Sequence, residues 1–279
     1  MINFNEKTEK IKSNISKIII GKEDKLNLFL TAILANGHIL LEDSPGTGKT
    51  TLAKAVAKSI DAEFNRIQFT PDLLPSDITG INIFNPEDRK FNFIRGPVFC
   101  NILLADEINR ATPRTQSSLL EAMEERQVTT DGVIRKLESP FLVIATQNPI
   151  ETIGTFPLPE AQMDRFMMKL EMGYPSLEQE IEIIDRYIEE NPLEKISSVC
   201  TKEDVIEMQG YVKEIFVHPI LRKYIAEIIQ ATRDNNLISL GVSPRGTLAL
   251  IKASQAYAAL NGFSSIYLSI ISISCSRLG

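Results

Sequence analysis

Lys49 and Thr50 are the residues whose types and spacing most directly suggest chemistry. They follow Gly46-Thr47-Gly48 and open a run with helical spacing of Leu52, Ala53, Val56 and Ala57. A glycine-rich turn presents backbone N–H groups to an anion, and the positive end of the next helix adds to that field. A lysine at the turn's end reaches the outer phosphates of a nucleotide, and the following hydroxyl is placed to ligand magnesium. Ser44, Pro45, Gly46, Thr47, Gly48, Lys49, Thr50 and Thr51 are therefore the candidate nucleotide contacts, with Thr50 also a candidate metal ligand. One position departs from the pattern G-x-x-x-x-G-K-[ST]: Asp43 stands where the first glycine is expected.

Asp106-Glu107 supply a second chemistry at the end of the apolar run 102–105. Ligands bind at the carboxyl ends of strands in open parallel sheets. There one acid can hold magnesium, directly or through water, while the next orients or deprotonates an attacking water. The same pair could instead cap the following helix. Asn148 ends the next apolar run in the same way, and its amide offers donor and acceptor to a terminal phosphate and a water. A polar turn before Pro149 is the structural alternative.

The elements that must position these groups alternate. Residues 39–41 read as a strand, 50–60 as a helix, 63–69 as a strand, and Thr70-Pro71 suits a helix start. A hairpin is expected around Asn85-Pro86-Glu87-Asp88, then a strand at 101–105, a helix at 114–126 and a second hairpin around Asp131-Gly132. Strands at 141–146 and 166–170 complete a parallel sheet covered on both faces, which makes the fold class α/β. Two helices, 4–18 and 23–36, precede it. The corner Ile19-Ile20-Gly21 between them is explained by core packing, or by a wall against adenine. From residue 173 the pattern is helical only, at 176–190, 201–215 (with a Thr201/Asp204 capping box), 219–235 and 243–260. The expected division is a nucleotide-binding domain at 1–172 and a small all-α lid at 173–279.

Composition narrows the class. The 279 residues are 43% hydrophobic, enough for a core, and a net charge of −6 argues against a general nucleic-acid coat. Cys100, Cys200 and Cys275 are far apart, without metal spacing, and read as reduced thiols. The first twenty or so residues lack the grading of a signal peptide, so the expected location is cytoplasmic. Residues 253–276 carry no charge, but their serines and the Asn261-Gly262 break argue against a membrane span.

Three long strings, LEDSPGTGKTTLAKAVA, ILLADEINRATPRTQSSLLEAMEERQVTTDG and FLVIATQNPIETIGTFPLPEAQMDRFM, resemble the AAA+ ATPases of the MoxR family, over most of residues 15–260. The resemblance implies a P-loop AAA+ domain with two hairpin insertions and a helical lid. It implies ATP with Mg2+, and a ring of copies, usually a hexamer, with sites at subunit boundaries. Lys49 and Thr50 take the phosphate and magnesium positions, Asp106 and Glu107 the second acidic motif, and Asn148 the first sensor. Arg165 takes the place of an arginine finger and Arg245 that of a second sensor. For Arg245 the local sequence adds an argument: Ser243 as N-cap and Pro244 at the first helical position put a positive charge against the helix dipole, at a cost of ~0.3–1 kcal/mol, which favours an anionic partner. For Arg165 an ion pair with Asp164 or another nearby acid is the structural alternative.

The function implied is chaperone-like remodelling or maturation of a partner, often one with a von Willebrand factor type A domain. A nucleotide-gated scaffold with little turnover is the alternative. A DNA-translocating motor ranks last, because the first hairpin's tip mixes Glu87 and Asp88 with Arg89 and Lys90. After Asn261-Gly262 the chain reads FSSIYLSIISISCSRLG, where the family usually has a polar, acidic stretch and a last helix, so an altered or truncated lid is expected.

Overall fold

A computed structural model describes residues 3–44, 46–87, 89–148, 154–189, 191–268 and 270–271. Pro45, Asp88, Pro149 and Cys275, singled out above, lie outside the described residues. In chain order the elements are α1 (Phe4–Ser16), α2 (Glu23–Leu34), β1 (Ile39–Glu42), α3 (Lys49–Ser59), β2 (Phe64–Gln68), α4 (Pro75–Thr79), β3 (Gly80–Asn85), β4 (Lys90–Arg95), β5 (Ile102–Asp106) and α5 (Pro113–Glu125). There follow β6 (Gln127–Thr130), β7 (Val133–Lys136), β8 (Leu142–Gln147), α6 (Glu160–Met163), β9 (Met168–Leu170), α7 (Leu177–Glu189), α8 (Lys202–Glu214), α9 (Pro219–Asp234) and α10 (Pro244–Leu260).

Five strands form one sheet in the order β2-β5-β8-β1-β9, and its pairings are all parallel. Alternation along the three central strands, β5, β8 and β1, feeds two cores. Ile39, Leu41, Ile102, Leu104, Leu142 and Ile144 belong to one apolar cluster, shared with α1, α2 and α3. Leu40, Leu103, Ala105, Val143 and Ala145 belong to the other, under α5. Burial on both faces is why these strands read as unbroken apolar runs. The two hairpins, β3-β4 and β6-β7, form as expected and stand apart as two-stranded antiparallel sheets.

One helix start differs from the sequence reading. Residues 71–72 form a turn, and α4 begins only at Pro75. The residue before a proline is pushed out of the α region. Leu74 accordingly sits at φ −95°, ψ 153°, where Asp77 Oδ2 accepts its N–H at 2.8 Å. A helix begun at Pro71 would have to pass through that residue.

Among the described residues the elements after β9 are all helices, as expected, yet the first apolar cluster continues through Val205, Met208, Ile225, Leu250 and Ala253 of those helices. Gln209 Nε2 donates to the Ile33 carbonyl at 2.8 Å, tying α8 to α2. The stretch after Asn261-Gly262 is partly packed where it is described: Ser265 bridges to Phe216, and Ile266, Ile270 and Ile271 are buried, whereas Phe263, Tyr267 and Leu268 are exposed. Among the described residues no helix is long and apolar enough to cross a membrane. Cys100 and Cys200 are free and buried, and burial pushes their thiols up to about 12 and about 11.

The capping box read from Thr201 and Asp204 is present. Thr201 Oγ1 accepts the Asp204 N–H at 3.2 Å, and Asp204 Oδ2 accepts the Thr201 N–H at 3.0 Å. The Lys7 ammonium and the Thr201 amide hold the Asp204 carboxyl down at about 2. This carboxylate therefore stabilises the fold above the ordinary aspartate range of about 4, and its contribution is lost as pH falls through about 2. Thr201→Ala is expected to lower stability by about 1 kcal/mol in urea unfolding at neutral pH. An unchanged midpoint would show that the cap contributes nothing.

Candidate functional site

The loop between β1 and α3 leaves the carboxyl edge of the sheet at a position where strand order reverses, with β8 on one side of β1 and β9 on the other. Gly46 and Gly48 adopt φ +87° and +84°, a region that side chains rarely adopt. Apart from chain neighbours, no heavy atom of the described residues lies within 4 Å of where a Cβ would stand at either residue, so the cradle is open on that side. Gly48 precedes the first turn of α3, whose leading N–H groups lack partners within the helix. Lys49 Nζ donates to the carbonyls of Asp43 at 2.8 Å and Ser44 at 3.2 Å, and Thr47 Oγ1 donates to the Ser44 carbonyl. Burial pushes the Lys49 ammonium down, against the opposing pull of Asp43, Asp106 and Glu107. Positive φ glycines, an open turn, a helix N-terminus and a lysine held on the loop's own carbonyls fit a polyphosphate.

Asp106 ends β5, on the sheet face of Ile102 and Leu104 that packs against α3. Thr146 fixes both acids. Its hydroxyl donates to Asp106 Oδ1 at 2.6 Å and accepts the Glu107 N–H at 2.9 Å. Glu107 takes φ +57°, uncommon for a residue with a side chain, and makes no side-chain cap to the short 3-10 turn Ile108–Arg110. The capping alternative is thus not the arrangement found. Its carboxylate accepts Gln68 Nε2 at 2.6 Å and pairs with Arg110 Nε at 3.0 Å. Arg66 Nη2 lies 2.6 Å from Asp106 Oδ2. Asn148 follows the end of β8, and the adjacent Gln147 carbonyl accepts the Asp43 N–H. Thr50 and Thr51 lie in the first turn of α3. A hard cation held by Thr50 and one carboxylate fits this donor set, since magnesium keeps most of its waters.

Sequence reading missed Thr146, Arg66, Gln68 and Arg110. A signal existed for Thr146, the one hydroxyl in the run 141–146, at a position that alternates onto the face of Leu142 and Ile144. Arg66 and Gln68 act across strands and carry no local pattern, whereas Arg110 stands three residues after Glu107, a spacing that could have pointed to the pair.

Ile20 is buried, and Gly21 lies against Gln179 of α7. This corner adjoins the loop's entrance: Lys22 Nζ donates to the Tyr174 carbonyl at 3.0 Å, and the neighbouring Gly173 N–H donates to Asp43. The two arginines lie elsewhere. Arg165 and Arg245 share a cavity of about 570 Å³ with Gly37 and His38, at the amino ends of β1 and β9. One strand length, roughly 13 Å, separates that edge from the loop. Asp164 does not pair with Arg165 as weighed above; its carboxylate accepts the Ser243 hydroxyl at 2.7 Å. Ser243 Oγ also accepts the Gly246 N–H at 3.1 Å, so the N-cap ahead of Arg245 is as expected. Arg245 has its anionic partner in the same chain, Glu124 of α5. His38, beside them, is buried and held neutral by that burial and by Arg126; Val143 N–H donates to its Nδ1 at 2.9 Å.

Comparison with known proteins agrees with this geometry. Residues 38–168 match the family model described as ATPase family associated with various cellular activities, and residues 230–266 match an AAA lid domain. The chain is 42% identical to Chaperone MoxR1 of Mycobacterium tuberculosis, over 89% of this chain and 68% of that protein. It is 53% identical to the Bacillus subtilis protein YeaC, over 89% of this chain and 78% of that one. A crystal structure from Cytophaga hutchinsonii, provisionally described as an ATPase, superposes with a TM-score of 0.91 at 38% identity, covering 99% of this chain and 86% of that one. Strand order, open glycine-rich loop, paired acids and these likenesses together make the chain a member of the MoxR family of AAA+ ATPases.

Proposed function

We propose that the protein hydrolyses ATP and uses the cycle to remodel or mature a partner protein. The observation that carries this reading is the convergence of Lys49 with Asp106 and Glu107 at one sheet edge. In the proposed reaction the loop amides, Lys49 and the helix N-terminus bind the phosphates, and Ile20 and Gly21 wall the base. Thr50 and Asp106 would hold magnesium, which when bound would supply neutralisation of the phosphate charge. Glu107 accepts the proton of a water that Asn148 helps to orient. The water oxygen bonds to the terminal phosphorus as the bond to the bridging oxygen breaks, giving ADP and phosphate.

Arg165 and Arg245 line a cavity at the sheet edge opposite the same chain's loop. We propose that they serve the site of a neighbouring copy in a ring, with a hexamer as the expected closure. The arrangement is heterologous: the amino-end face of one copy meets the carboxyl-end face of the next. A protein client, such as one with a von Willebrand factor type A domain, fits better than nucleic acid, because the first hairpin exposes Ile81, Ile83, Phe84, Phe91 and Ile94. A cytoplasmic location belongs to the same reading. The nucleotide-gated scaffold is favoured by one observation: Asp106 and Glu107 are already engaged by Arg66 and Arg110.

Glu107→Gln is expected to lower steady-state ATP turnover by about 10²- to 10⁴-fold while nucleotide still binds. Equal rates in the two proteins would remove Glu107 from its role, and no turnover in the wild type would favour the scaffold. Thr146→Val removes a hydroxyl that orients both acids, and about a tenfold loss of turnover is expected; a wild-type rate would show the acids are held without it.

Complementation tests the shared site. Lys49→Ala and Arg165→Ala chains are each expected to be inactive, the second by about 10³- to 10⁵-fold. Mixed, they form boundaries with an intact loop on one side and an intact arginine on the other. Turnover well above either variant alone is the expected result. A mixture no better than its parts would place Arg165 outside the site.

A further inference from the structure

Asp43, which stands in the place of the loop's first glycine, binds two parts of the molecule at once. Its carbonyl accepts Lys49 Nζ at 2.8 Å. Its carboxylate, on a residue only 7% exposed, accepts the N–H groups of Met172 and of Gly173, the latter at 3.1 Å. Residues 171–176 are the link from β9 to α7, and Lys22 holds the same link at the Tyr174 carbonyl. A buried carboxylate is costly unless its oxygens are hydrogen-bonded, and these two amides satisfy that need. A glycine at position 43 would offer them nothing.

We propose that Asp43 is a positioning residue that couples occupancy of the phosphate loop to the link leading into α7 and the later helices. The proposal rests on the nucleotide reading above. Phosphate that draws Lys49 off the Asp43 carbonyl acts on the residue whose side chain anchors residues 172 and 173. Nucleotide thereby orders the loop's entrance and protects the link. Coupling of this kind is reciprocal, so displacing the link weakens nucleotide binding. Beyond the link lie α7 to α10, including Arg245 at the start of α10, so the state of one loop reaches the face offered to the next copy.

The test is amide hydrogen exchange at Met172 and Gly173 in the full chain, free and with saturating magnesium and a non-hydrolysable ATP analogue. Binding of the analogue is measured separately by calorimetry. In the wild type, exchange at both amides is expected to slow when the analogue binds. In Asp43→Gly, exchange in the free protein is expected to be about tenfold faster or more, with no response to the analogue at a concentration that calorimetry shows to be saturating. Asp43→Asn keeps one carbonyl acceptor and is expected to lie between. A merely structural role would change protection without abolishing its dependence on nucleotide. Wild-type exchange in Asp43→Gly, or a retained nucleotide response, overturns the proposal. If Asp43→Gly does not fold, a full wild-type response in Asp43→Asn overturns it and a diminished one supports it. A wild type that binds the analogue with no change at these amides refutes the coupling alone, whereas no binding refutes the nucleotide reading as well.

Discussion

The constraint on which this structure depends is burial of the parallel sheet on both faces. The central strands β5, β8 and β1 must then be apolar on both sides, and in them a polar side chain is tolerated only at a strand end or where a partner satisfies it. Asp106, Thr146 and Gln147 stand at ends, and Asp43 lies just past one. Because the strands run the same way, those ends share one edge, and the chemistry collects there without further design. Thr146 illustrates the rule. It is buried, and both of its hydrogen bonds go to the acidic pair, one to each residue.

The same constraint explains what was legible. Strand, loop and helix around Lys49 carry local signals, as do the capping box at Thr201 and the two hairpin turns, so their elements lie where the sequence places them. The helix after β2 was misplaced because two prolines compete, and the second governs through its effect on Leu74. The cross-strand partners of the acids were not legible. Arg66 and Gln68 reach across from β2, whose register with β5 pairs Gln68 with Asp106, and register is a property of the sheet rather than of either segment.

The arginines show a different limit. Sequence placed Arg245 on a first helical turn beside an anion, and the structure supplies one, Glu124 of α5. That contact partly offsets the charge's conflict with the helix dipole and belongs to the isolated chain. The ion pair is part-exposed, with side chains 36% and 40% accessible, so little stability is lost if it opens. A satisfactory partner within one chain is thus compatible with the second use proposed for Arg245 at a boundary between copies. Which edge it occupies separates the two uses: Arg165 and Arg245 stand at the amino ends of the strands, the loop at the carboxyl ends.

Asp43 turns a departure from a textual pattern into a physical statement. The first glycine of the pattern matters where a side chain would intrude on the phosphates. Here the side chain at that position points away from the cradle, toward the exit of β9, and the loop keeps positive φ at Gly46 and Gly48, where the backbone must turn. The substitution removes no donor from the anion site, because the N–H of Asp43 is already used in pairing with Gln147. What it adds is an anchor between two segments far apart in the chain. The requirement on the loop is therefore narrower than the pattern suggests: conformational freedom near Lys49, and only the absence of obstruction at its entrance.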